Sequence, residues 1–142
     1  MEEWKVTLHI LWFLAVLWDI FASTPKTGLT ARPFYGLSNT EELECSGSVL
    51  DSDTSLLSLS LFSLHDDVVL ASANVATKEC LTSGYFSACL FHPSDNRRSK
   101  LRTLVTASDN GRERWFGCNA TCYGRGRTAI FFWKLPVTVR RK

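Results

Sequence analysis

The sequence predicts an all-β fold, a sandwich of two antiparallel sheets, on three grounds. Apolar and polar residues alternate with a period of two in several short runs, which is the pattern of half-buried strands. Turn-forming residues separate these runs at short intervals, and no run after the first segment has the period of an amphipathic helix. A chain of 142 residues leaves room for one such domain and excludes most large enzyme architectures, including an α/β barrel.

The N-terminal segment has the features of a secretory signal peptide. Its run from Val6 to Trp18 is almost wholly apolar and is too short to cross a bilayer comfortably. Small residues and a proline follow, so we expect cleavage after Ala22 or Ser23. The sequence therefore predicts a signal peptide at 1–23.

The remaining residues, 24–142, are predicted to form one secreted, extracellular domain with its core at about 30–140. They contain no second apolar run of membrane length, so we expect no membrane span after cleavage. Two alternatives stay open. The leader could remain as an anchor extending to about Phe21, and the domain could be one module of a longer receptor.

The first predicted strands lie between residues 41 and 71. Residues 24–40 are rich in Thr, Pro, Gly and Ser and read as a lead-in with at most one edge strand. The alternation in 41–47 turns Leu43 and Cys45 to one face and glutamates to the other. In the run 55–64 the predicted core face carries Leu57, Leu59 and Leu61, and the other face carries Ser58 and Ser60. Another strand begins at Val68.

The second half of the domain alternates strands and turns in the same way. Strands are predicted at 85–91 and 101–107, followed by a tight turn at 108–111. A long hairpin then joins 114–122 to 128–139 through a Gly-rich turn. Pro136 predicts that the last strand lies at a sheet edge or carries a bulge, because proline has no N–H to donate.

At this point the chain resembles an immunoglobulin-like domain over roughly residues 30–140. Leu43-x-Cys45 is similar to the second-strand pattern of that family. Asp109-x-Gly111 followed by Phe116-x-Cys118 is similar to its Asp-x-Gly-x-Tyr-x-Cys pattern, with phenylalanine in place of tyrosine. The resemblance implies an immunoglobulin-like two-sheet antiparallel sandwich, with a disulfide between Cys45 and Cys118 that joins the sheets.

Three cysteines then remain, and they cannot all pair within one chain. Cys80 and Cys89 are close enough to close a local loop, but Cys122 could take either of them. We favour Cys122 as the unpaired cysteine, either buried as a free thiol or forming an intermolecular bridge.

Strand parity predicts where one modification falls. If Cys118 faces the core, then Phe116, Ala120 and Cys122 face it too, and the residues between them face outward. Asn119-Ala120-Thr121 is an N-glycosylation sequon with an outward asparagine. We expect Asn119 to be glycosylated; the alternative is an unused sequon beside a disulfide.

The net charge of +2 hides an asymmetry along the chain. Residues 24–96 hold three basic and nine acidic residues, a net charge of −6, whereas residues 97–142 hold twelve basic and two acidic residues, a net charge of +10. The basic half could bind an acidic glycan. The alternative, which we favour, is that acidic and basic strands lie side by side and neutralise each other.

The same basic half carries the predicted binding surface. Parity puts Phe131, Trp133, Leu135 and Val137 on the core face of the last strand and leaves Phe132 outside. Aromatic and arginine side chains dominate interface energetics. The candidate binding residues are Arg112, Arg114, Trp115, Tyr123, Arg125, Arg127 and Phe132. The alternative is that the N-terminal segment or a loop covers these aromatics.

No catalytic motif, metal-ligand spacing or cofactor motif stands out in the sequence, so we expect no catalysis and no cofactor. The predicted function is recognition or adhesion, with an extracellular protein or an acidic glycan as partner. A second copy of the chain is a further candidate partner, and nucleic acid is not expected in a secreted protein. The alternative function is a disulfide-linked, self-associating structural protein.

Overall fold

The computed structural model describes residues 26–83, 86–106 and 113–138. The predicted signal peptide, the whole of the predicted turn at 108–111, Tyr85 and Arg112 lie outside these ranges. Over the described ranges no helix is long and apolar enough to span a bilayer. The elements are β1 (Leu29–Pro33), β2 (Thr40–Ser46), β3 (Ser55–Ser63), β4 (Val68–Asn74), β5 (Glu79–Thr82), β6 (Ser87–Leu90), a short 3₁₀ helix (Asn96–Arg98), β7 (Lys100–Thr106), β8 (Arg114–Gly124) and β9 (Arg127–Val137).

The strands form two antiparallel sheets, which confirms the predicted two-sheet sandwich. The smaller sheet has the order β1-β2-β7-β6, and the larger has the order β5-β4-β3-β8-β9. The sequence missed β5 because all four of its residues are exposed, so no alternation marks it. The strand expected at 85–91 is shorter in the structure, where β6 spans Ser87–Leu90.

The core lies between the sheets and is crossed by a disulfide. Cys45 on β2 and Cys118 on β8 are bonded, with Cα atoms 5.7 Å apart, and both are fully buried. Closing this loop of 73 residues is worth about 4 kcal/mol in the chain-entropy model. The core also contains Leu29, Leu43, Leu56, Leu59, Leu61, Ala71, Leu101, Phe116 and Ala120.

A second disulfide joins the sheets at one edge. Cys80 on β5 bonds Cys89 on β6, with Cα atoms 6.0 Å apart. Cys122 is the one free cysteine among the five, all of which lie in described residues, and its side chain is only 2% exposed. Burial raises the pKa of this thiol, because the thiolate loses its hydration. The buried position does not suit an intermolecular bridge.

One predicted core residue of β3 is wrong. Leu57 is only half-buried, whereas Leu56 is fully buried. The register against β8 pairs Leu56 with Cys122 and Ser58 with Thr121, so Leu57 is an extra residue in a bulge. A bulge resets the alternation of faces. From Ser58 onward the faces are as predicted.

Phe131 was also wrongly placed in the core. Its side chain is 42% exposed and stacks on Trp133, with ring centroids 6.1 Å apart. β9 is an edge strand, as Pro136 predicted. Further along β9, Trp133 and Leu135 pack against the buried core, and β1 flanks the strand at Leu135 to Val137. Strand alternation predicts the side of the sheet to which a side chain points, but it does not predict whether other residues bury that side chain.

Candidate functional site

The outward surface of β3, β8 and β9 carries a strip of exposed apolar side chains. Trp115 and Tyr123 on β8 are 40% and 50% exposed, and Phe132 on β9 is 49% exposed. Ile130 beside Phe132 is 69% exposed. We call this strip, completed by Phe62 on β3, the aromatic face. Strand alternation places its members on one side of the sheet, away from the core.

A glycine builds the centre of the aromatic face. Phe62 and Phe132 project from the two strands that flank β8, and their rings stack with centroids 5.9 Å apart. They meet above Gly117, where a Cβ would lie 2.7 Å from the Phe62 ring and 3.0 Å from the Phe132 ring. Only a residue without a side chain lets rings from two non-adjacent strands touch across the strand between them.

One end of the aromatic face ends in a small mixed-charge depression. Lys134 places its ammonium 5.5 Å from the centre of the Trp115 ring, a cation–π contact. His65 and Glu113 line the same depression, whose volume is about 390 Å³. This end of the strip therefore offers both charge signs beside an indole.

The outward surface of β3 to β5 is polar and concave. A depression of about 550 Å³ is lined by the short side chains of Ser58, Ser60 and Ser72, with Asn74 and Leu81 at its side. We call it the serine depression. Short side chains on three neighbouring strands leave the sheet surface low there, and Leu81, 74% exposed, stands at the outer strand.

The predicted arginines do not form one patch with the aromatics. Arg114 has the inward parity of Phe116 and covers that ring, with its guanidinium 5.2 Å from the centroid. Arg125 lies in the β8–β9 turn, 3.5 Å from an Asp53 oxygen. These two residues are at opposite ends of the hairpin, roughly 35 Å apart along the strand. Arg127, next to the turn, is exposed, and Arg112 lies outside the described residues.

Acidic and basic strands do lie side by side in the smaller sheet. Acidic β2 pairs with basic β7, and Glu42 and Glu44 contact three cations on the outward surface. The nitrogen–oxygen distances run from 2.9 to 3.5 Å for the pairs Arg32–Glu42, Lys100–Glu44, Arg102–Glu42 and Arg102–Glu44. Part of the charge asymmetry along the sequence is therefore neutralised within the fold.

Asn119 lies in the middle of the larger sheet's outward surface. It is half-buried, and its cross-strand partners are Ser60 on β3 and Phe132 on β9. The sequon residue Thr121 lies one outward position further along β8, opposite Ile130. The predicted glycosylation site and the aromatic face thus occupy the same surface.

Sequence reasoning missed Phe62 and the serine depression. The signal for the depression was present, because Ser58 and Ser60 were assigned to the outward face of their strand. Phe62 joins the aromatic face only because the register of β3 on β8 brings it beside Gly117. That register cannot be predicted from the sequence of either strand alone.

The described residues contain no group of three or more His, Cys, Asp or Glu side chains that could hold a metal ion. The outward surface of the larger sheet carries exposed apolar rings on one side and serine hydroxyl groups on the other. Compared with known proteins, the chain matches no family model and no curated sequence.

Proposed function

We propose that this chain is an extracellular recognition module of the immunoglobulin variable type, which binds a protein through the outward surface of its larger sheet. The strand arrangement supports the assignment to the variable type. Variable-type domains have nine strands, with two extra strands on the sheet opposite the first, second, fourth and fifth core strands. The sheet orders here have that form, and the core disulfide joins the second and eighth strands.

The two disulfides support the extracellular setting. Disulfides form and persist in oxidising compartments, and Cys45–Cys118 and Cys80–Cys89 both join the two sheets. The apolar run at Val6 to Trp18 agrees with export. Secretion therefore remains our proposal for the location of the mature domain.

The aromatic face is the observation that carries the binding function. Monomeric proteins rarely expose a contiguous apolar strip without a use for it. The strip and the serine depression together span five strands, roughly 26 Å by 19 Å from standard strand spacings, or about 500 Å². That area fits the centre of a small protein interface, where aromatic anchors contribute much of the binding energy.

A protein partner fits this surface better than an acidic glycan. A sulfated glycan needs several unpaired cations close together. Among the described residues, Arg102, Lys100 and Arg32 are paired with glutamates, and Arg114 and Arg125 lie at opposite ends of the hairpin. Homophilic binding to a second copy is one form of the protein hypothesis.

The disulfide-linked structural alternative has less support. It needs a cysteine that can reach another chain, and the free cysteine, Cys122, faces the core opposite Leu56 and Ala129. Its side chain is 2% exposed. A covalent dimer would require that strand to open.

The proposal is tested by measuring whether a multimer of the domain binds any member of a panel of extracellular proteins or binds heparin. The panel includes the chain itself. Both the secreted protein and Thr121→Ala, which lacks the sequon, are used. Phe132→Asp and Ile130→Asp are expected to lower binding to any protein hit by at least about tenfold. Leu90→Asp is the matched control, because Leu90 is an exposed apolar residue on the outward surface of the smaller sheet.

Binding of the control should stay within about twofold of wild type. The proposal is wrong if Phe132→Asp and Ile130→Asp bind every hit as wild type does, or if heparin binds and no protein does.

A further inference from the structure

Asn119 stands at the boundary between the aromatic face and the serine depression. We propose that an N-linked glycan on Asn119 is the occupant of this surface: its first sugar lies against the Phe132–Phe62 ring pair and closes the face to proteins. The claim that the glycan closes the face to proteins rests on the proposed function, because it assumes that the uncovered face binds a protein. The claim that the first sugar lies against the ring pair does not depend on the proposed function.

The covalent step is the one by which the asparagine of a sequon is modified during export. The side-chain amide nitrogen of Asn119 forms a bond to C1 of an oligosaccharide carried on a lipid pyrophosphate. The bond from C1 to the pyrophosphate oxygen breaks, the lipid pyrophosphate leaves, and the amide loses one proton. The donor and the transferase belong to the export pathway.

The register brings the first sugar to the rings. Asn119 and Phe132 are direct cross-strand partners on one surface, and such pairs have Cβ atoms about 4.5–5.5 Å apart. A sugar attached to the Asn119 amide therefore begins within reach of the Phe132 ring. The C–H face of a pyranose is apolar and lies well against an aromatic ring. Phe132 is held in place by Phe62, 5.9 Å away.

The other side of Asn119 suits the rest of the glycan. Ser60 is its partner on β3, and Ser72 follows in the same row on β4. These residues line the serine depression of about 550 Å³. A branched sugar chain could donate to and accept from these hydroxyl groups as it leaves the ring pair. The surface thus has an apolar part and a hydroxyl part on the two sides of the attachment point.

A glycan at this position excludes a flat protein interface. Asn119 is the central outward residue of β8, with Trp115 and Tyr123 towards the two ends of the strand. A second sheet or loop cannot approach Phe132 while a sugar occupies the neighbouring position. The modification state of Asn119 would therefore decide whether the face is open.

The test uses protein secreted from eukaryotic cells, with the Asn119 glycopeptide identified by mass. Thr121→Ala removes the sequon, and Thr121→Ser keeps it with a similar side chain. We expect enzymatic removal of the glycan to lower the melting temperature by about 3 °C in wild type and Thr121→Ser. Trimming to a single N-acetylglucosamine should retain most of that difference, because the first sugar makes the ring contact.

The coupling to the rings is measured in variant backgrounds. In Phe132→Ser, deglycosylation should lower the melting temperature by less than about 1 °C. In the control Leu90→Ser, the decrease in melting temperature should stay near the wild-type value. The inference would be overturned if Asn119 is unmodified in the secreted protein. It would also be overturned if deglycosylation lowers the melting temperature equally in Phe132→Ser and Leu90→Ser. If Phe132→Ser secretes poorly, Phe62→Ser serves for the same measurement.

Binding separates this inference from the proposed function. Thr121→Ala should bind a protein hit at least about tenfold more tightly than the glycosylated chain. Equal binding by the two forms would contradict the covering role while leaving the recognition function intact. If the effect of deglycosylation depends on Phe132 but neither the glycosylated chain nor Thr121→Ala binds a protein, the recognition function alone is contradicted.

Discussion

The two sheets of this molecule present opposite kinds of surface. The outward surface of the smaller sheet is a ladder of ion pairs in which Glu42 and Glu44 on β2 contact cations on β1 and β7. The outward surface of the larger sheet carries the aromatic face and the serine depression. One surface satisfies its own charges, and the other leaves apolar rings in water.

The difference shows why the sum of charges along the sequence is a poor guide to the binding surface. The basic half of the chain contributes Lys100 and Arg102, but these pair with the acidic half across β2 and β7. Exposed ion pairs contribute little energy each, about 0–1 kcal/mol, yet they remove the charge from long-range attraction. The surface proposed for recognition is the one whose exposed side chains have no such partners within the chain.

The largest expected effect comes from separating the sheets that carry these two surfaces. Replacing Cys45 and Cys118 by alanine together should cost about 4 kcal/mol, and replacing Cys80 and Cys89 about 2.5 kcal/mol, because the second pair closes a loop of only nine residues. Urea unfolding of the secreted variants measures both. A larger loss from the edge pair than from the core pair would contradict the fold described here.

The thiol between the sheets should be almost inert in the folded protein. Cys122 is 2% exposed, and burial raises its pKa, so little thiolate is present at neutral pH. Alkylation by iodoacetamide should be at least about 100-fold slower in native than in urea-unfolded protein. A covalent dimer on a non-reducing gel that disappears in Cys122→Ser would instead support the disulfide-linked alternative.

Filling the gap at Gly117 should damage the larger sheet's outward surface. In Gly117→Val the new side chain displaces the Phe62 and Phe132 rings, and we expect a loss of about 1–2 kcal/mol together with loss of partner binding. Ser60→Val on the next strand is the matched control for stability, since Ser60 lines an open depression. Thermal unfolding should show the control within about 0.5 kcal/mol of wild type. An equal effect of both substitutions would mean that the ring pair has no special role.

The smallest effect is expected on the ion-pair surface. Arg102→Met should cost less than about 1 kcal/mol, and the difference from wild type should shrink when NaCl is raised from about 0.05 M to about 0.5 M, because salt screens exposed pairs. Chemical unfolding at the two salt concentrations measures it. Partner binding by Arg102→Met should not change, and a strong decrease would move the recognition surface to the smaller sheet.

The sequence predicted most of the strands because the alternation is local. It also predicted the outward positions of Trp115, Phe132 and Asn119, which follow from parity along β8 and β9. It failed where the answer depends on a neighbouring strand. Leu57 was misplaced because a bulge adds a residue against β8, and Phe131 because an edge strand lacks cover.

The arrangement of the surface was harder to predict than its members. The arginines at 114 and 125 were grouped with the aromatics because they are close in sequence, but an extended strand carries them to opposite ends of the sheet. Conversely, Phe62 is distant in sequence from Phe132 and meets it across Gly117. Both facts come from the register between strands, which no single run of residues contains.

The central claim, that the larger sheet's outward surface is the recognition surface, is tested most directly by hydroxyl-radical footprinting of the free and partner-bound domain. Trp115 and Phe132 report on that surface, and Tyr35, which is 95% exposed beyond β1, is an internal control. Binding should protect Trp115 and Phe132 from oxidation and leave Tyr35 unchanged. Protection of Tyr35 with full oxidation of Trp115 and Phe132 would contradict the account.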